Sequence, residues 1–240
     1  MPRYPFDTTF IDLSETNLWG KRLIGLRLRH ANLQNIDLAR ADLTAADLSQ
    51  SNLKYANLIE ANILRGNLSG ADLSYVDAIA ANMRGVDLIG ATLKDADLSD
   101  ACLQEIDAIG ANFQGANLEG ANLSGADLSG ADLQYCWLTS VNFQGATLKG
   151  ANLSHAILTD VSLKNADLRG TRCDRAIIIN VNLRGANLRG IAMQNADLSH
   201  NWGISETMKQ EFEKQGAKFL GENVLEFKIQ NSKFKKNQLF

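Results

Sequence analysis

The side chains that most often carry catalysis are few in this sequence and far apart. Histidine occurs at His30, His155 and His200, and cysteine at Cys102, Cys136 and Cys173. The cysteines show no CxxC spacing and no histidine cluster lies near them, so the usual zinc-binding patterns are missing. Glycines recur five residues apart and do not form the phosphate-binding patterns GxxxxGK[ST] or GxGxxG. We therefore expect no metal, no cofactor and no enzymatic activity.

Carboxylates are abundant, but their spacing follows a repeat. Residues 111–135 read ANFQG ANLEG ANLSG ADLSG ADLQY, which is one five-residue unit repeated five times. Because every unit supplies an Asn or Asp at the same place, acid pairs arise throughout and identify no general acid and base. The short side chains of Asn and Asp can instead hydrogen-bond nearby backbone at a turn. These polar residues thus have a structural role in every copy.

A period of five residues excludes both an α-helix and a continuous strand. On a helix, five residues turn about 500°, which would spread the central residues Phe113, Leu118 and Leu123 around the cylinder. On a strand, an odd step would send successive leucines to opposite faces. The chain must therefore turn between units, with the central residue and the alanine two before it facing inward. Four such corners close a square, so one coil takes about twenty residues and residue n lies beneath residue n+20.

This unit, A(D/N)LxG, resembles that of the pentapeptide-repeat family. Its central residue can be followed from Leu13 to Leu198 without an insertion, which is most of the chain. The resemblance implies an all-β solenoid, a right-handed quadrilateral parallel β-helix, and this handedness agrees with the crossover rule for parallel strands. It implies no common activity, since members include DNA mimics that bind type II topoisomerases, cyanobacterial regulators and many proteins of unknown role.

Segments without the regular repeat flank the predicted β-helix of residues 11–200. Residues 1–10 are aromatic-rich and predict an N-terminal cap over the first coil. Residues 201–219 predict a C-terminal helical cap, with a short α-helix at about 206–215 that starts after Ser205 and stops before Gly216. Met208 and Phe212 share one face of that helix. We expect them to cover the last coil or, as in some members of the family, to form homodimer contacts.

The last segment, residues 220–240, is expected to be a short strand followed by a flexible basic end. Its apolar residues alternate at Leu225, Phe227 and Ile229, and its final lysines are Lys233, Lys235 and Lys236. Docking on its own solenoid and docking on a second chain are both consistent with this pattern.

Charge and hydropathy limit the classes of partner. The formal net charge is −3, from 24 basic and 27 acidic residues, which argues against direct nucleic-acid binding. No Lys or Arg occurs between Lys94 and Lys149, so the middle of the rod is acidic and the later coils are basic. No apolar run suits a signal peptide or a membrane span. We expect a cytoplasmic location, no membrane association and three reduced cysteines in the core.

The acidic middle contains one candidate surface. Asp87, Asp107 and Asp127 lie one coil apart and should form a vertical row of carboxylates. Such a row suits a DNA mimic that binds a type II topoisomerase (gyrase). The simpler interpretation is that these aspartates bond turn backbone, as asparagines do elsewhere. A mimic should also be acidic along most of its length, whereas this chain is acidic only in its middle.

A second candidate surface is apolar. The outward column Asp37, Asn57, Asp77, Asp97, Asn117, Trp137, Ile157, Ile177, Asp197 is polar except at three consecutive coils. Tyr135 and Ile179 lie beside these three residues, with His155 and Arg175 at the edge. Apolar patches rich in aromatic residues and Arg mark interfaces. The sequence therefore favours a non-enzymatic scaffold or regulatory module that binds a protein partner or a second copy here. Coverage by residues 220–240 and a purely structural protein are the alternatives.

Overall fold

A computed structural model describes residues 11–221 of the chain. The predicted N-terminal cap at 1–10 and most of the predicted tail, from residue 222 onward, lie outside the described residues. Within the described part the chain forms one coil after another, with a turn after each unit.

The coils are joined by parallel pairing of each residue n with residue n+20. Bridges of this kind run from Asp12 with Asn32 to Asn182 with Trp202. Two backbone hydrogen bonds repeat at each bridge: Leu33 N donates to Asn52 O at 2.7 Å, and Asn52 N donates to Ala31 O at 3.0 Å. The ladder follows all four sides, so the prediction of a right-handed quadrilateral parallel β-helix is confirmed.

The core is a stack of the inward residues of successive units. From residue 31 onward nearly all the central residues and the small residues two before them are buried. Where alanine takes the central position the residue two before it is larger, so the core stays filled: Ala78 is buried with Val76 and Ala108 with Ile106. Residues at the fifth position of each unit have a positive φ, for example Gly130 at 66°. Glycine adopts this conformation without the steric cost that other residues meet.

We number the four faces by one coil: face 1 contains Phe113, face 2 Leu118, face 3 Leu123 and face 4 Leu128, each with its partners at steps of twenty residues. On face 2 the later coils form strands β1 (Trp137–Thr139), β2 (Ile157–Thr159), β3 (Ile177–Ile179) and β4 (Asp197–Ser199). After β4 the chain forms helix α1 (Glu206–Lys214) and strand β5 (Lys218–Phe219). The five strands pair in parallel in chain order.

Helix α1 and β5 close the end of the rod. Ser205 caps the helix by accepting a hydrogen bond from Met208 N at 3.2 Å, and Phe212 is buried. The predicted C-terminal helix is thus confirmed. The chain then returns to face 2, where Lys218 N donates to Ala196 O and Leu220 N to Leu198 O. None of the helices in residues 11–221 is long and apolar enough to cross a bilayer.

The sequence analysis did not predict the repeat unit that contains β5. Residues 217–221 read AKFLG, with an alanine two before the central Phe219 and a glycine at the end. This sequence follows the pattern of a further repeat unit. Sixteen residues, 201–216, separate this unit from the last regular one at 196–200, so the frame no longer runs in steps of five.

Candidate partner-binding surfaces

The three apolar residues of face 2 stack in register, which the step of twenty residues predicts. Trp137 pairs with Ile157, and Ile157 pairs with Ile177. The residues that follow them in the chain, Leu138 and Leu158 among them, are buried in the core. Successive side chains of a strand point to opposite sides. Trp137, Ile157 and Ile177, which we call the apolar row, therefore lie on the outside of the rod.

The apolar row is partly exposed at its ends and buried in its middle. Ile157 has only 6% of its surface exposed, whereas Trp137, Ile177 and the neighbouring Ile179 are half-buried. Close to Ile157, the Thr159 hydroxyl is buried and makes no hydrogen bond with a described residue. The row therefore offers two apolar ends around an already packed centre.

Two residues expected in this interface, Tyr135 and Arg175, lie on the corner between faces 1 and 2. Tyr135 is 51% exposed, and its ring stacks on His155 with the centroids 4.8 Å apart and the planes 10° apart. Arg175 is exposed one coil further on. The six residues thus divide into four on face 2 and two on the adjoining corner.

The same corner carries a second stacked pair that sequence reasoning missed. The Tyr55 and Tyr75 rings lie 5.0 Å apart with an interplanar angle of 9°. Tyr55, Tyr75 and Tyr135 all have φ of 60°, a region that costs a non-glycine residue about 1–3 kcal/mol. The backbone alone would favour glycine there, so the rings are not explained by the turn. Counting in steps of twenty from residue 55 would have placed them in one column.

The acidic row of face 4 stacks as its spacing requires. Bridges join Asp87 to Asp107 and Asp107 to Asp127. Each carboxylate accepts, through Oδ1, the backbone N–H two residues later, at 2.9 Å, 3.3 Å and 2.9 Å in chain order. Asn67, one coil earlier, makes the same bond at 2.9 Å. Beside the carboxylates Ile89 and Ile109 are 43% and 41% exposed.

Two aspartates on neighbouring faces have pKa values displaced in opposite directions. Burial raises the pKa of Asp77, with a further contribution from Asp97 one coil away and an opposing one from its backbone hydrogen bond. At Asp72 burial is outweighed by hydrogen bonds from Ser74 and Lys54, which lower the pKa. Lys54 Nζ lies 3.1 Å from the Asp72 carboxylate.

The expectation that all three cysteines lie in the core is wrong for Cys102, which is exposed. It takes the outward Asn or Asp position of its unit, between Asn82 and Asn122. Cys136 and Cys173 are buried, and burial raises the pKa of the Cys173 thiol to about 12. Within residues 11–221 no group of three His, Cys, Asp or Glu side chains could hold a metal ion.

At the C-terminal end α1 lies over the last coil. Phe212 is buried and Met208 half-buried, and Gln215 Oε1 accepts a hydrogen bond from Met193 N at 2.7 Å. A cavity of about 400 Å³ remains between the helix and the last unit of face 4, where Leu188 and its neighbours form the wall. Homodimer contacts through Met208 and Phe212 stay a prediction.

Among solved structures, the chain is similar to HetL, a pentapeptide-repeat protein involved in heterocyst differentiation regulation from the cyanobacterium Nostoc. The two share 32% identity over 78% of this chain and 88% of HetL, with a TM-score of 0.59. The fluoroquinolone resistance protein QnrB1 matches at 19% identity over 86% of this chain and 97% of its own, with a TM-score of 0.44. Rfr23 from the cyanobacterium Cyanothece matches at 26% identity over 50% of this chain and 89% of its own, with a TM-score of 0.27.

Curated proteins contain no match to this sequence. The family model for pentapeptide repeats matches in 8 copies, over residues 9–44, 36–74, 67–105, 109–145, 136–172 and 176–201. These segments cover most of the rod and follow the frame of the stacked coils. The chain is a member of the pentapeptide-repeat family.

Proposed function

We propose that the protein is a non-enzymatic scaffold or regulatory module that binds a protein partner through face 2. The observation that carries this proposal is the apolar row, in which three consecutive coils replace Asn or Asp by Trp137, Ile157 and Ile177. Ile179 extends the surface, and Tyr135 and Arg175 border it on the corner. The regulatory role in HetL, at 32% identity, supports the regulatory form of the proposal.

The stability of the rod does not account for the apolar row. At the preceding coil the Asn117 side chain accepts a hydrogen bond from Glu119 N at 3.2 Å. An apolar side chain at the same position of a unit cannot accept this bond. Such a bond contributes about 0.5–1.5 kcal/mol. An apolar pair across neighbouring strands returns roughly 0.2–1 kcal/mol. Replacing Asn or Asp by an apolar residue therefore changes the free energy of folding little. A Trp next to aliphatic side chains and an Arg is, however, typical of a binding surface.

The test uses affinity capture from cells of the source organism, with the full chain as bait. The double variant Trp137→Asn/Ile157→Asn restores the family pattern and should leave circular dichroism and melting temperature close to wild type. Ile89→Asn/Ile109→Asn on face 4 is the matched control, because it also removes two outward apolar residues. We expect the face 2 variant to lose a specific partner that the control retains. Equal capture by both variants would refute the proposal.

A second candidate, a DNA mimic that binds gyrase, is supported by the stacked carboxylates Asp87, Asp107 and Asp127 on face 4. A mimic should inhibit supercoiling by gyrase at micromolar concentration, and Asp107→Asn/Asp127→Asn should weaken that inhibition while keeping the turn hydrogen bonds. No effect of the wild-type protein on supercoiling, together with no salt-sensitive binding to the enzyme, would remove this candidate.

A further inference from the structure

The corner between faces 1 and 2 carries an interrupted ladder of rings. In steps of one coil its residues are Tyr55, Tyr75, Asp95, Gly115, Tyr135, His155, Arg175 and Asn195. Both ring pairs in this series are stacked, with centroids 5.0 Å and 4.8 Å apart. These distances equal the separation of neighbouring coils, which is about 4.8 Å. The ladder therefore has two rings, a gap of two coils, and two more rings.

The gap carries no ring of this chain, and its length matches two further rings at the same spacing. Gly115 contributes no side chain, and Asp95 Oδ1 lies against Gly115 where a Cβ would stand, so the carboxylate bends along the corner. The rings that bound the gap, Tyr75 and Tyr135, are 39% and 51% exposed. Two exposed ring faces thus flank a notch three coils wide, which is about 14 Å from one bounding residue to the other.

We propose that a second copy of this chain fills the gap, lying antiparallel along this corner. Tyr135 and His155 of each copy enter the gap of the other copy. The inserted pair and the gap both span two coils, so each copy supplies what the other lacks. The two-fold axis crosses the corner between the coils of Gly115 and Tyr135, and such an isologous contact uses the same patch on both copies.

This register makes the facing residues complementary. Gly115 faces the partner's Tyr135, and Asp95 faces the partner's His155, whose ring N–H can donate to the carboxylate. Tyr75 faces the partner's Arg175, an arrangement that allows a cation–π contact. The rings of both copies then form one ladder of eight, with offset aromatic pairs at the spacing that favours attraction. No pair of like charges faces across this corner.

A second copy fits the corner better than an unrelated protein. Any occupant must present two rings at the spacing of stacked coils, and this chain does so with Tyr135 and His155. The apolar rows of the two copies would line one V-shaped groove and stay accessible. Because Tyr135 and Arg175 belong to both surfaces, Asp95→Tyr/Gly115→Tyr, which changes neither residue, separates the dimer from the proposed partner.

The mass of the full chain in solution, by analytical ultracentrifugation over a range of concentrations, tests the dimer. The expected value is twice 26.2 kDa. Asp95→Tyr/Gly115→Tyr fills the notch with rings of the same chain and should raise the dimer Kd at least tenfold. Tyr135→Asn/His155→Asn removes the inserting rings and should do the same. Tyrosine and asparagine both already occupy this corner at positive φ, as at Tyr75 and Asn195, so both variants should fold, which circular dichroism checks.

Ile89→Asn/Ile109→Asn on face 4 is the control and should remain dimeric. A monomer at the highest soluble concentration of wild type would overturn the proposal. So would a dimer that survives both corner variants, or one that is lost only with Trp137→Asn/Ile157→Asn or Met208→Ser, since these results would place the contact on face 2 or on α1.

Discussion

Replacing Leu118 by Ala tests the inward stack of face 2. Leu118 is fully buried, with the equally buried Leu98 and Leu138 one coil below and above. The substitution removes three carbons, which at about 0.8 kcal/mol each cost roughly 2.4 kcal/mol in transfer energy. The coils cannot close on the cavity, because Leu118 N is held to Trp137 O at 2.9 Å. We therefore expect a loss of about 4 kcal/mol, in the upper part of the range for Leu to Ala changes.

The assay is thermal unfolding followed by circular dichroism. For a chain of this size a loss of about 4 kcal/mol corresponds to a fall in melting temperature of roughly 8–16 °C. The matched control is Leu23→Ala in the first coil, where the same side chain is only partly buried and the loss should be less than half as large. A melting temperature within about 2 °C of wild type for Leu118→Ala would show that this residue does not point into the core.

Two further predictions concern titration and thiol chemistry. Asp77→Asn should raise the melting temperature at pH 7, because the raised pKa shows that the fold disfavours the charged carboxyl. This gain should vanish below about pH 4, where Asp77 is protonated in both the folded and the unfolded state. Asp72→Asn should lower the melting temperature at pH 7. This difference from wild type should fade as the pH falls through the lowered pKa that Asp72 has in the folded state. Iodoacetamide at pH 8 should modify Cys102 alone in the native protein, and Cys136 and Cys173 only after unfolding, as mass spectrometry will show.

The repeat frame made most of the fold predictable. Because side chains five residues apart can all face inward only if the chain turns after each unit, the frame from Leu13 to Leu198 dictated square coils. The same arithmetic placed Trp137, Ile157 and Ile177 in one column, and the parallel pairing confirms this. The helix was predictable for a different reason, since Ser205 and Gly216 are ordinary start and stop residues.

What the sequence did not reveal depends on contacts that the frame does not encode. Strand β5 returns to face 2 after a helix, so its position follows from packing on the last coil and not from counting. The burial of Ile157, which is only 6% exposed, likewise depends on the side chains around it. The exposure of Cys102, by contrast, follows from its outward place in the unit, whereas the general preference of cysteine for the core predicts burial.

The distribution of charge along the rod was predictable only in outline. The absence of basic residues between Lys94 and Lys149 gives an acidic middle, but the hydrogen bonds of Asp107 and Asp127 to turn backbone show how much of that acidity has a local role. Asp72 and Asp77, five residues apart, have opposite pKa shifts because burial dominates at Asp77, whereas at Asp72 burial is outweighed by hydrogen bonds from Ser74 and Lys54.

Photo-crosslinking from face 2 tests the central claim, that the apolar row binds the partner, most directly. A benzophenone side chain is placed at position 177, next to Ile157, in the full chain, and at position 109 on face 4 as the control. We predict a specific crosslinked partner from position 177, lost when Trp137→Asn is added, and none from position 109. Equal crosslinking from both positions, or a partner captured only from face 4, would contradict the claim.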